Sequence, residues 1–311
     1  MTLPQDVIGV DIAKGWIDTF TLSSRTHERI AMTKPALARF ARGAAGCLVV
    51  CEASGGHERP LVAALAAAGV DCARVNPRQA REFARATGRL AKTDRVDAEV
   101  LARMGRALSP APTPPVDPAR ARLADLVARR DDLVAGIGRE RNRARTATDA
   151  WIAREIAGLL RVLQAHLKAV EGQIAALIEA HAALAEDQRR LTTVPGIGPA
   201  LSTVLIARLP ELGQLDHRRI ASLAGLAPHA CDSGLHRGKR HIWGGRADVR
   251  RSLYLAAFIG SRYEPSLKAF RKRLKDAGKP TKVAITACAR KLLNILNAMI
   301  RDAKDHQPHT R

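Results

Sequence analysis

Asp6-Val7-Ile8-Gly9-Val10-Asp11-Ile12 decides the reading of this chain, because Asp11 stands near the end of a run that is otherwise apolar from Val7 to Ile12. The run reads as a buried strand. A carboxylate inside it is costly unless it is paired, hydrogen-bonded or bound to a cation. Trp16–Leu22 and Glu28–Thr33 alternate enough to predict hairpin neighbours for that strand. Cys47–Cys51 predicts another buried strand, and it leads at once into Glu52 and the turn residues Ser54, Gly55 and Gly56. Helices are expected over His57–Ala68 and Thr93–Leu108, the second with Thr93 as N-cap, and a short strand over Ala73–Val75. Strands followed by alternating helix and strand predict an α/β domain over residues 1–108.

Residues 109–118 are rich in proline and read as a linker. Beyond it the pattern predicts helix throughout. Ile156, Leu160, Leu163, Leu167, Val170, Ile174 and Leu177 recur at alternating steps of four and three, the seam of a coiled coil. Leu123, Leu126, Leu133 and Ile137 give a weaker seam before it. Residues 119–190 are therefore expected to form a helical connector, either as an intramolecular pair or as a dimer contact. Residues 191–311 read as a second, Gly-punctuated helical region that closes with an amphipathic helix near Thr281–Ala303.

The formal net charge is +21, unevenly spread. Residues 1–108 hold 16 basic and 11 acidic side chains, residues 109–190 hold 13 and 11, and residues 191–311 hold 22 and 8. Codon bias in an Ala- and Arg-rich chain would spread arginine evenly, so the basic C-terminal third points to a polyanionic partner, nucleic acid first. No apolar run approaches the roughly 20 residues that span a bilayer, and no signal peptide is expected. The five cysteines (Cys47, Cys51, Cys72, Cys231, Cys288) include no CxxC pair and read as reduced thiols of a cytoplasmic protein, with structural zinc not expected.

Glu52 ends its strand as Asp11 ends the first, and Asp94 and Asp97 stand three residues apart at a helix start, on one face. Each has an ordinary use: the helical pair favours the helix dipole or pairs with Arg95 and Arg103. Together the four fit one geometry, a carboxylate cluster for two divalent ions in phosphoryl transfer. Hard oxygen ligands select Mg²⁺ or Mn²⁺.

Val194-Pro195-Gly196-Ile197-Gly198-Pro199-Ala200, followed by apolar Leu201–Leu209, matches a helix-hairpin-helix, in which Gly196 and Gly198 allow a phosphate close to the backbone. A tight helix–helix turn is the plainer alternative. Arg74, Arg78, Arg81, Arg85, Arg89 and Lys92 recur at steps of three and four and would stripe one helical face, either solvated or tracking a nucleic-acid backbone. Aromatic residues make up 3%, so base stacking on single strands is not the expected mode. Ser233 stands in a Gly-rich segment with Arg237, Lys239, Arg240 and Arg246. Spacing alone makes it a hydrogen-bond donor in a phosphate-binding loop. A nucleophilic serine needs a base or a cationic field, which arginines supply.

The motifs Val-Ile-Gly-Val-Asp-Ile-Ala-Lys, Cys-Glu-Ala-Ser-Gly, Lys-Thr-Asp-Arg-Val-Asp-Ala, Pro-Gly-Ile-Gly, Asp-Ser-Gly, Arg-Gly-Lys-Arg and Gly-Gly-Arg follow one another in a familiar order. Through them nearly the whole chain resembles the DEDD transposases of the IS110 family, bridge-RNA-guided recombinases of bacterial insertion sequences. The resemblance implies a RuvC-like, ribonuclease H-type domain, a coiled-coil connector, and a helical transposase domain over residues 191–311. It puts the acidic tetrad on Asp11, Glu52, Asp94 and Asp97, and the nucleophile on Ser233, which would join DNA through a phosphoserine link. It also implies donor and target double-stranded DNA, a bridge RNA, a dimer or tetramer with shared active sites, and a place in the bacterial cytoplasm at the nucleoid. Two other readings stand beside it: a metal-dependent nuclease or junction resolvase in which water attacks, and an inactive nucleic-acid-binding adaptor.

Overall fold

Val7 and Ile8 are both buried, on opposite faces of one strand, which requires a sheet covered on both sides. The computed structural model describes residues 6–88, 94–114, 117–230, 232–233, 236–238 and 240–307. It falls into two compact units, residues 1–115 and 116–311.

In unit 1, β1 (Asp6–Ile12), β2 (Trp16–Thr21) and β3 (Thr26–Ala31) form an antiparallel meander. After α1 (Lys34–Gly43), β4 (Cys47–Glu52) pairs parallel to β1. After α2 (Arg59–Ala67), β5 (Asp71–Val75) pairs parallel to β4. The order across the sheet is β3-β2-β1-β4-β5. Ile8, Val10, Val49, Cys51 and Cys72 bury one face against Leu37 and Ala41 of α1 and Leu61 and Leu65 of α2. Val7, Leu48, Val50, Ala73 and Val75 bury the other against α3 (Pro77–Ala86) and α4 (Asp94–Leu108). Each such Val or Leu contributes about 1.5–3 kcal/mol on leaving water.

Helix α1 was not expected, though Leu37, Phe40, Ala41 and Ala44 carry the helical spacing that packs it on the sheet and Pro35 stands in its first turn. The expected linker is partly docked. Thr113 donates its N–H to the Cys72 carbonyl (2.8 Å) and accepts from the Arg74 N–H (2.9 Å), covering the outer edge of β5. Sequence reading missed this because proline-rich segments can still run extended along a sheet edge.

Unit 2 opens with α5 (Pro118–Ala144) and α6 (Ala150–Glu179), capped by Asp117 and Asp149, which form a helical hairpin. The seam from Ile156 to Leu177 turns inward as spaced: each of its seven residues is half-buried or buried, and at its end Ile178 is buried beside Leu177. Then follow α7 (Ala182–Thr192), α8 (Pro199–Arg208) and α9 (His217–Leu223). Two short ladders come next, β6 (Pro228–His229) with β9 (His241–Ile242) and β7 (Asp232–Ser233) with β8 (His236–Arg237). The unit closes with α10 (Ala247–Tyr263), α11 (Pro265–Asp276) and α12 (Thr281–Arg301).

Three sequence expectations change here. The boundary at residue 190 falls inside one core, since Leu123, Val127, Ile174 and Leu177 cluster with Leu191, Leu205, Leu253 and Leu292. The region after the linker is not wholly helical, because Pro228–His229 pairs with His241–Ile242 and Asp232–Ser233 with His236–Arg237 as β ladders. And α12 is long and apolar enough to cross a bilayer. It is spent on the core instead: Ile285, Cys288, Ala289, Leu292, Leu293 and Leu296 are all buried in unit 2.

Candidate active site

The strand ends of unit 1 are set by register. The parallel ladder between β1 and β4 runs from Asp6 opposite Cys47 to Val10 opposite Cys51, so Asp11 and Glu52 come next on adjacent strands. Side chains alternate along a strand, so Asp11 shares a face with Val7 and Gly9, and Glu52 shares it with Val50. That face is covered by α4. A Cβ on Gly105 would lie 2.7 Å from Val7 Cγ1 and 2.6 Å from Val50 Cγ2, and one on Gly9 would overlap the Ala98 carbonyl and the Ala102 amide. Glycine at both positions lets helix and strand approach with backbone nearly touching backbone. The sequence from Gly105 back to Ala98 therefore runs from Val7 towards Asp11. Asp97, and one turn earlier Asp94, continue to the same end.

Asp11, Glu52 and Asp97 are half-buried there, and none of the three is without a partner. Asp94 opens α4, with its side chain outside the described residues, as are Arg89 and Lys92. Among the described side chains, no three His, Cys, Asp or Glu groups stand close enough to hold an ion. The backbone brings the carboxylates to one edge and stops short of a closed ligand shell. The donor chemistry, carboxylate oxygen throughout, suits Mg²⁺ or Mn²⁺.

Sequence reading missed two acids beside this edge. Glu58 is 5% exposed, and its Oε2 accepts from the Ser54 N–H and hydroxyl (both 3.2 Å) and the Gly56 N–H (2.9 Å), which fixes the loop that leaves Glu52. Burial pushes its carboxyl up, but its own N–H, those of Gly56 and Ser54, and the Ser54 hydroxyl outweigh this and hold it below the usual carboxylate range. Asp18 is 4% exposed, opposite Asp11 in the ladder. The signal for Asp18 was present: like Asp11, it is an acid inside an apolar strand.

The arginine stripe is not one helical face. Arg74 lies on β5, where it pairs with Glu58 at 3.8 Å. Arg78, Arg81 and Arg85 do lie on α3, where Arg78 pairs with Glu82 at 2.8 Å. The Pro77 start, capped by Asn76, breaks the stripe.

In unit 2, Ser233 is exposed on β7, and the ladder sets it opposite His236. Asp232 accepts from the Gly238 N–H at 3.1 Å and ties the base of that ladder. Arg240 is exposed; Arg237 lies on β8, and Lys239 falls outside the described residues. Arg246 has a structural task. Its guanidinium donates to both Glu211 oxygens (2.6 and 2.7 Å) and to the Arg208 carbonyl (2.8 Å) at the start of α10. Gly196 (φ 95°) is the tight point of the α7–α8 turn: a Cβ there would lie 2.7 Å from the Gly260 nitrogen and 2.9 Å from the Ala256 carbonyl. Its smallness serves packing against α10. Gly198 differs. It N-caps α8 without a side-chain cap, and a Cβ on it would meet nothing among the described residues within 4 Å.

A transposase family profile matches residues 8–151, and a second, for transposases of the IS116/IS110/IS902 family, matches residues 188–272. The pilin gene-inverting protein of Moraxella bovis is 31% identical over 232 residues, 73% of this chain and 71% of that one. The chain belongs to the IS110 family of transposases. The pilin gene-inverting protein of Moraxella lacunata is 27% identical over 308 residues, 94% of this chain and 95% of its own. An IS110 protein of Streptomyces coelicolor, 31% identical over 160 residues, matches 50% of this chain and 38% of its own length. Membership makes the chain a DNA transposase/recombinase. The first IS110 family match spans the whole carboxylate edge, and the second spans the α7–α8 turn and the serine ladder.

Proposed function

We propose that this transposase is an RNA-guided recombinase that cuts and rejoins DNA through a covalent link to Ser233, at a site whose carboxylates hold Mg²⁺ or Mn²⁺. One observation carries the metal half. Asp11 and Glu52 end adjacent parallel strands on the face where α4 begins with Asp94 and Asp97. The sheet order β3-β2-β1-β4-β5, with its antiparallel meander and two parallel strands, supports a RuvC-like, ribonuclease H-type reading of unit 1.

Divalent ions at that edge would neutralise the attacked phosphate and steady the leaving oxygen. Asp11, Glu52, Asp94 and Asp97 would hold them. The Ser233 hydroxyl attacks the phosphorus and gives up its proton, the P–O bond to one side of the DNA strand breaks, the departing DNA oxygen takes up a proton and leaves as a hydroxyl, and the other side stays joined to Ser233 as a phosphodiester. Attack by a DNA hydroxyl on that phosphoserine restores Ser233 and rejoins a strand. Arg240 and Arg237 stabilise the phosphate charge. The α7–α8 turn, a helix-hairpin-helix in this reading, offers α8's uncapped first turn to a backbone phosphate.

Rejoining, and not cutting alone, is supported by the relatives named for inverting a pilin gene. A bridge RNA would choose donor and target by base pairing, which leaves backbone contacts to the basic protein. Exposed Trp151, Ile152, Leu159 and Val162 on α6 support a homo-oligomer, dimer or tetramer, in which subunits share a site. Its place would be the bacterial cytoplasm, at the nucleoid.

The test uses the full chain with its guide RNA and donor and target DNA. Ser233→Ala is expected to abolish the covalent protein–DNA adduct while DNA binding persists. Cleavage that continues with no adduct in either protein would make this a nuclease or junction resolvase with water as nucleophile.

A further inference from the structure

A row of four charged side chains crosses the sheet of unit 1. Antiparallel register sets Asp18 opposite Asp11 on one side and Arg29 on the other, and Glu52 follows beside Asp11 on β4. Directly opposed residues share a face, with Cβ atoms about 5 Å apart. Asp18 is almost wholly buried, and both its oxygens accept from Arg29, from Nε and Nη2 at 2.9 Å each. The Arg29 guanidinium also lies 4.7 Å over the Trp16 ring, which holds it in place independently of Asp18.

Only Asp18 is buried in this pair; the Arg29 side chain is about half exposed, and an ion pair open to water on one side contributes little to stability. Its position gives it another use. Arg29 brings a positive charge to the same row as Asp11, two strands away across β2, and a cation reaching along that row would compete with any divalent ion that Asp11 holds. Asp18 lies between them and takes both hydrogen bonds of the fork. We infer that Asp18 is a positioning residue of the carboxylate edge: it occupies Arg29 and keeps that charge off Asp11. This rests on the metal-site reading proposed above.

The mechanism is one of charge, so it predicts a rescue. In Asp18→Asn, Arg29 stays over Trp16 and loses the counter-charge of Asp18. In Asp18→Asn/Arg29→Gln, the net charge of the row returns to that of the wild type. The experiment is calorimetric titration of the full chain with Mn²⁺, using Asp11→Asn to define the heat that belongs to the site. Asp18→Asn is expected to bind Mn²⁺ roughly tenfold more weakly, and the double variant within about twofold of wild type. Melting temperatures are read alongside, since a purely structural role would lower them in both variants and leave the weak binding unrescued. Wild-type affinity in Asp18→Asn, or a double variant as weak as the single one, overturns the inference. A wild type with no Asp11-dependent heat ends the metal-site reading itself, and this inference with it.

Discussion

The carboxylate edge of unit 1 and the serine ladder of unit 2 carry the two halves of the proposed chemistry on contrasting scaffolds. Asp11 and Glu52 stand at the ends of buried parallel strands, with a helix seated against them through Gly9 and Gly105. Ser233 stands exposed on a two-residue strand paired with the equally short β8, with the Gly238 N–H donating to Asp232 beside it. Metal ligation needs several groups fixed within fractions of an ångström, and only a packed core supplies that. A nucleophile that must reach a phosphate and later release it is better placed on a lightly held segment.

Three substitutions sharpen that contrast. Gly9→Val should have the largest effect, since its side chain would overlap the α4 backbone at Ala98 and Ala102. A loss of about 3 kcal/mol or more is expected in the unfolding transition of unit 1, and strand transfer should fall with it as Asp97 is displaced. A variant that melts with the wild type would mean α4 is not seated across β1. Glu58→Gln should cost about 1–2 kcal/mol at neutral pH by weakening the hydrogen bonds from Ser54 and Gly56. The folded carboxyl sits below its ordinary range, so its contribution is full above that range and fades as pH falls through the depressed value. Melting curves of the two proteins should therefore converge on acidification below about pH 4; a gap that widens there would refute the assignment. Smallest of all, Asp232→Ala should change unfolding by no more than about 0.5 kcal/mol, as an exposed side chain away from any core. A larger loss in denaturant titration would show the ladder to be part of unit 2's core.

The same contrast explains what could be read without a structure. Strands β1 and β4 and helix α4 announce themselves by continuous apolar runs and by acids placed where apolar residues belong. The seam from Ile156 to Leu177 was equally legible, because a four-three rhythm over seven positions has one geometric meaning. The ladders β6–β9 and β7–β8 were not, since two-residue strands show no period. Arg74 was misplaced because spacing cannot distinguish a strand from the helix that follows it across Asn76 and Pro77. Arg246 looked like a phosphate ligand because its partners, Glu211 and the Arg208 carbonyl, are about forty residues away or less but remote in pattern. Asp18 needed the register: only the ladder puts it opposite both Asp11 and Arg29.

The central claim is that the ends of β1 and β4 and the start of α4 form a cation site. An anomalous difference map from crystals of the full chain soaked in Mn²⁺ tests it most directly. The account predicts a peak bounded by Asp11, Glu52 and the first turn of α4, lost in Asp11→Asn. Manganese bound elsewhere, with that edge empty in crystals where the carboxylates are well ordered, would contradict it.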